Sequence, residues 1–319
     1  MLPSYGFQGL FVSWLIGLPL GLCRQVQALQ SSETSRRQLF KDAGAFTIIS
    51  YSLSADPAKS IAADQTGSLA RRLTDDILQQ QAPTVPADNL YGADNFFYPP
   101  YMAGTWDVTQ TLVKTSTPLG VIFLGGPNAD GSIAQKTNAE SMSKLNIPVK
   151  LQLRFIPTKF GVAEDRLFNT KQRLDSFAGR SVVSGVTYAN VGASNRNKVI
   201  ALGGTENDPL QTVFIRYKGP AAQKTFVTSH KDEVESDTTW TGTESQRSIF
   251  ALTNENTAPP ITTDTETIWQ LTQLDDNTIR GRLRIASYLN AQQDKLYFEA
   301  RNRAVSLLDY SLDMKRIDE

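Results

Sequence analysis

From about Gly104 onward the chain alternates apolar and polar side chains in short runs. Val149, Leu151, Leu153 and Phe155 alternate with Lys150, Gln152 and Arg154, and Val213, Ile215 and Tyr217 with Arg216 and Lys218. Ile279, Gly281, Leu283 and Ile285 alternate with Arg280, Arg282 and Arg284, then Leu296, Phe298 and Ala300 with Lys295, Tyr297, Glu299 and Arg301. A period of two places one face of each run on a core and the other in water, the pattern of half-buried antiparallel strands. Turn residues separate the runs: Asn128 to Gly131, Gly203-Gly204, Lys218-Gly219-Pro220, Asp275-Asp276-Asn277 and Asn290-Ala291-Gln292. About eight to ten strands are predicted, with a single interruption of helical character at Val162 to Ala178. Many consecutive hairpins suit an all-β fold, an up-and-down antiparallel β-barrel, because closure removes exposed sheet edges.

A short N-terminal helix is predicted ahead of the barrel. Leu69, Leu73 and Ile77 recur at fourfold spacing, and Arg71 and Arg72 stand four residues before Asp75 and Asp76. Pro83 to Gly92, with two prolines, reads as a connector. The expected organisation is a signal peptide at 1–28, a plastid and thylakoid-lumen targeting segment at 29–63, a helical arm and linker at 64–95, and the barrel at 96–319.

The first part of that organisation rests on Gly9 to Cys23, an apolar run followed by Arg24 and the small-residue site Val26-Gln27-Ala28. It is short for a membrane span and fits a cleaved signal peptide. Arg36-Arg37 followed by the modestly apolar Ala43 to Ala55 resembles a twin-arginine lumenal signal. Leu29 after Ala28 resembles the start of a transit peptide in algae with complex plastids. The double address points to the thylakoid lumen, with secretion or an endomembrane compartment as the alternative.

Charge and cysteine narrow the function classes. Lys plus Arg equals Asp plus Glu over the chain; beyond residue 55 there are 28 basic and 30 acidic side chains, 32 less four and 32 less two. That balance argues against a nucleic-acid footprint. Cys23, the only cysteine, falls in the apolar leader, and His230 is the only histidine. Cysteine-based metal sites and multi-histidine centres are thereby excluded from the processed chain, and no metal or cofactor is expected. No transmembrane anchor is expected in the mature chain, and a monomer is.

The run Tyr98-Pro99-Pro100-Tyr101-Met102-Ala103-Gly104-Thr105-Trp106-Asp107-Val108-Thr109-Gln110-Thr111-Leu112 enters the first barrel strand. Its Gly104-Thr105-Trp106 resembles the Gly-x-Trp of lipocalin-like (calycin) barrels. That resemblance implies that Trp106 closes one end of the barrel beneath an arginine of the last strand, Ala304 to Ile317, with Arg316 the first candidate and Arg303 the second. A guanidinium over an indole contributes about 0.5–2 kcal/mol. Across about Phe97 to Ile317 the same run, Thr117-Pro118-Leu119-Gly120 and the closing tyrosine-bearing strand resemble an uncharacterised family, domain of unknown function 6816, of cyanobacteria and plastid-bearing eukaryotes. The resemblance implies photosynthetic ancestry and brings no catalytic residues with it.

No residue set demands catalysis. His230 lies in a charged stretch that reads as a solvated loop or hairpin end, and the Gly203-Gly204 and Gly125-Gly126 pairs lack the residues of a phosphate loop. Arg280, Arg282 and Arg284 form a stripe expected to pair across strands with carboxylates such as Glu266 or Glu299. Phe155, Tyr217, Trp240, Trp269 and Phe298 are the candidates to line a ligand cavity in the barrel. Trp269 faces Arg284 if the turn at Asp276-Asn277 has two residues, and Leu283 if it has three. The expected function is that of a non-catalytic lumenal barrel holding a hydrophobic small molecule such as a pigment, quinone or lipid. The alternatives are an assembly factor for a photosynthetic membrane complex with a filled barrel, or a lumenal lipid- or pigment-modifying enzyme using Asp107 or Glu164 as acid or base.

Overall fold

The computed structural model describes residues 69–82, 97–127, 129–158, 161–188, 213–253 and 259–317. The targeting segments expected at 1–28 and 29–63, the connector at 83–92 and Gly203-Gly204 lie outside these residues.

Ten strands form one antiparallel sheet among the described residues. They are β1 (Gly104–Ser116), β2 (Pro148–Pro157), β3 (Val162–Glu164), β4 (Val183–Tyr188), β5 (Val213–Tyr217), β6 (Ala221–Val234), β7 (Thr239–Leu252), β8 (Ile261–Asp275), β9 (Thr278–Tyr288) and β10 (Ser306–Arg316). Their order is β3-β2-β1-β10-β9-β8-β7-β6-β5-β4. Among the described residues each strand lies beside its sequence neighbour, with two exceptions: the first and last strands meet as β1 against β10, and the consecutive strands β3 and β4 are the two edges. The all-β up-and-down sheet curls as expected, but its circle is not completed by strand pairing. The chain leaves edge β3 through helix α2 (Arg166–Phe177) and arrives at edge β4, and α2 packs on both β2 and β4. A helix thus covers the seam that hydrogen bonds leave open, one of the ways in which a sheet edge is protected.

The inner face carries two apolar clusters. One, around Tyr98, Trp106, Trp240, Trp269 and Met314, fills the end where β1 begins and β10 ends. The other joins Leu174 of α2 to Val183, Ile215, Tyr217 and Phe250. On the outer face Leu73 and Leu78 dock against Ile268, Ala286 and Leu307.

The N-terminal arm differs from the expected helix. Only Leu69–Leu73 is helical, as a 3-10 turn, and Ile77 is exposed. Arg72 does not pair with Asp76; it makes two hydrogen bonds to buried Glu266, at 2.9 and 2.7 Å, while Asp76 reaches Lys114. An isolated helix of this length is marginal in water, so a docked extended arm that buries two leucines and a guanidinium wins. Helix α1 (Gly131–Met142) follows directly on the turn expected at Asn128 to Gly131, where no helix is predicted: Asp130 caps it by accepting from the Ile133 amide at 2.9 Å. Leu296 to Arg301, read as a strand, is a turn around a short helix at Tyr297–Ala300. β9 and β10 already pair with each other, so their connection has no free strand to join. No helix among the described residues is long and apolar enough to cross a membrane.

Candidate functional site

The filled end is organised around Gly104, Trp106 and Arg316. Trp106 and Arg316 face each other across β1 and β10, and the Arg316 guanidinium stands 4.4 Å from the indole centroid. The indole N–H donates to Met102 O at 2.8 Å; the guanidinium donates to the carbonyls of Tyr101 (2.8 Å), Asp276 (3.0 Å) and Ala103. Gly104 has φ of 120°, and a Cβ there would lie 2.7 Å from Arg316 Nη1, so the close approach of the guanidinium requires glycine. These three residues form a structural lock in which the side-chain hydrogen bonds of Trp106 and Arg316 all go to backbone carbonyls.

Between the two apolar clusters the curled sheet encloses a cavity of about 370 Å³. Its apolar lining includes Leu112, Leu283, Ile285, Leu312 and Trp269. It extends to the C-terminal ends of both helices, at Ser141 and Lys144 and at Phe177 to Gly179. Trp269 faces Leu283, because β8 and β9 combine a two-residue turn with a bulge between Gln273 and Asp275 that shifts the register by one. Of the five aromatics expected to line a cavity, Trp269 alone does so. Phe155 and Trp240 pack on Tyr98, with centroids at 4.8 and 5.1 Å, and Tyr217 packs on Phe250 in the second cluster. Phe298 is 81% exposed on the short helix, away from the sheet interior, since it does not belong to a strand.

The seam side of the cavity is polar and was not legible as a site. Helix α2 presents Arg166, Asn169 and Arg173 at i, i+3 and i+7, one stripe of the helix. Arg166 makes a two-pronged contact with Glu244 of β7, one prong at 3.1 Å, with both residues buried. Burial alone would lower the Arg166 pKa; Glu244 more than offsets this and raises it. Glu164 accepts from Arg173 and from Asn169 at 3.0 Å. Burial would push its carboxyl up, yet Arg173 and Arg166 hold it below the ordinary value, so it remains a carboxylate. Asn169 serves as a substitute strand: it accepts from the Arg154 amide at 2.7 Å and donates to the Arg154 carbonyl at 3.1 Å. The i, i+3, i+7 polar stripe was the available signal, but a polar face suggests solvent until the partner wall is known.

The remaining candidates disperse. Asp107 is exposed and accepts from Gln152 at 3.0 Å. His230 lies within β6 opposite Glu244 rather than in a loop. Gly125 and Gly126 take positive φ in the turn before α1. Arg284 pairs with Asp309 rather than with Glu266 or Glu299, and donates to the carbonyls of Arg72 and Asp75, tying the arm to the outer face. Arg280 pairs with Asp313 at the surface.

A curled antiparallel sheet with one end locked by tryptophan, a helix across its seam and an apolar cavity within defines a barrel-like β domain. Residues 90–318 match the family model described as Domain of unknown function (DUF6816), and the chain belongs to that family. No curated protein and no solved structure matches the chain.

Proposed function

We propose that this protein is a non-catalytic carrier or holder of an apolar small molecule, a pigment, quinone or lipid, in the thylakoid lumen. The observation that carries the reading is the cavity of about 370 Å³, which falls in the range of small-molecule pockets, about 300–1,000 Å³. Its open interior weighs for a binding role over an assembly factor built on a filled barrel. The acids weigh against an enzyme: Glu164 is held charged, so it has no proton to give, and the arginines and Asn169 that hold it also weaken it as a base, while Asp107 lies on the exposed face of β1. The two targeting segments at 1–28 and 29–63 supply the compartment.

The test is binding of an environment-sensitive apolar dye to the purified protein, compared with Ile285→Trp, which places an indole in the cavity. Saturable dye binding that the substitution removes is expected. Equal binding by the filled variant, or none by the native protein, overturns the reading. A fusion of residues 1–68 to a fluorescent protein is expected in the lumen; retention in the secretory pathway removes that part of the proposal.

A further inference from the structure

The cavity contains a polar pair that the fold does not use. Gln110 is 4% exposed on the inner face of β1, between Val149 of β2 and Leu312 of β10, and its amide has no hydrogen-bond partner among the described residues. Tyr310 of β10, opposite Leu112, is its diagonal neighbour across the strand pair, and both residues line the cavity. The Tyr310 hydroxyl also lines the cavity without a hydrogen-bond partner among those residues. Neither group is sealed inside protein: both open onto the cavity, so its occupant, water or ligand, is what can satisfy them.

The charges around the cavity answer one another instead. Arg166 is matched by Glu244 and Arg173 by Glu164, while Lys144 and Glu140 stand together at the end of α1. Among the described residues that line the cavity, no cation is left over for an acidic headgroup. Burial pushes the Tyr310 hydroxyl well above its ordinary pKa, so it keeps its proton. Gln110 and Tyr310 therefore bring an N–H and an O–H to the same face of adjacent strands, donors that an oxygen with two lone pairs can accept from.

We propose that the cavity takes an uncharged, largely apolar molecule bearing a carbonyl oxygen, and that Gln110 and Tyr310 are the pair that recognises that oxygen. This rests on the cavity being a ligand site and narrows what fits it. The seam side of the cavity is polar too, but its charges are paired; the uncommitted amide and hydroxyl stand at the β1–β10 junction beside Leu112 and Leu312, so the carbonyl end is placed there and the apolar body toward Ile285 and Trp269.

Three probes of one size separate the cases: naphthalene, methyl naphthyl ketone and naphthoate, measured by equilibrium dialysis on the native protein, Gln110→Leu and Tyr310→Phe. The native protein is expected to hold the ketone about tenfold tighter than either other probe. Gln110→Leu should bring the ketone down to the affinity of naphthalene and leave naphthalene bound as before, which also reports an intact cavity; Tyr310→Phe should lose part of the preference. Equal binding of ketone and naphthalene by the native protein overturns the inference while the cavity reading stands. So does a preference for naphthoate, or a ketone preference that survives Gln110→Leu. Failure of all three probes to bind sinks both.

Discussion

Replacing Arg166 by methionine tests whether the seam of the barrel is held by charge. Arg166 and Glu244 are 6% and 1% exposed, and the guanidinium spans from α2 to β7 with two hydrogen bonds to one carboxylate. Methionine fills much of the same volume but leaves Glu244 buried, with the Gln246 amide as its remaining hydrogen-bond donor among the described residues. Removing one member of a buried pair costs about 3–5 kcal/mol, most of it the desolvation of the stranded charge. Against a typical domain stability of about 5–15 kcal/mol, the variant should lose a large share of its stability. The double variant Arg166→Met with Glu244→Leu strands no charge and is expected within about 1 kcal/mol of the native protein, or above it. Urea unfolding followed by tryptophan fluorescence of the native protein, Arg166→Met, Glu244→Leu and the double variant gives the four stabilities by linear extrapolation. A loss below about 1 kcal/mol for Arg166→Met, or a double variant as unstable as the sum of its singles, would refute the account of α2 as an electrostatically anchored seam.

Two further outcomes follow from the same geometry. Gly104→Ala should destabilise by about 1–3 kcal/mol, since it combines a positive φ with a methyl 2.7 Å from Arg316 Nη1; an unchanged melting temperature would remove the lock from the account. Glu164 has a folded-state pKa below its ordinary value, so its contribution to stability is present above the unfolded value of about 4.3 and is lost as pH falls through the folded one. Urea midpoints should therefore drop in acid less steeply for Glu164→Gln than for the native protein, and parallel pH profiles would contradict this.

Period-two alternation made the strands legible because side chains on a strand point to opposite faces whatever the strand packs against. β2, β5 and β9 all fall on runs read that way. The same pattern misled at Leu296 to Arg301, where alternation had no unpaired neighbour strand to exploit. Helix α1 was hidden because it buries little, Ala134 and Thr137, and so carries only a weak apolar stripe. Helix α2 looked poor because its buried face is Arg166, Asn169 and Leu174, residues that are stable inside only when Glu244, Glu164 and the Arg154 backbone are in place.

By itself the chain determined its class and most of its sheet-forming segments. Gly104, Trp106 and Arg316 are named together through the resemblance of Gly104-Thr105-Trp106 to the Gly-x-Trp of lipocalin-like barrels, and their contacts belong to the tertiary structure. What needed the tertiary structure was which edges remain unpaired, how the seam is closed and what the cavity contains. The bulge between Gln273 and Asp275 turns Trp269 toward Leu283, and the meeting of β1 with β10 sets Gln110 beside Tyr310. Such facts depend on residues about 200 positions apart, and a one-residue shift in register reverses the face of every side chain beyond it. No local pattern specifies that.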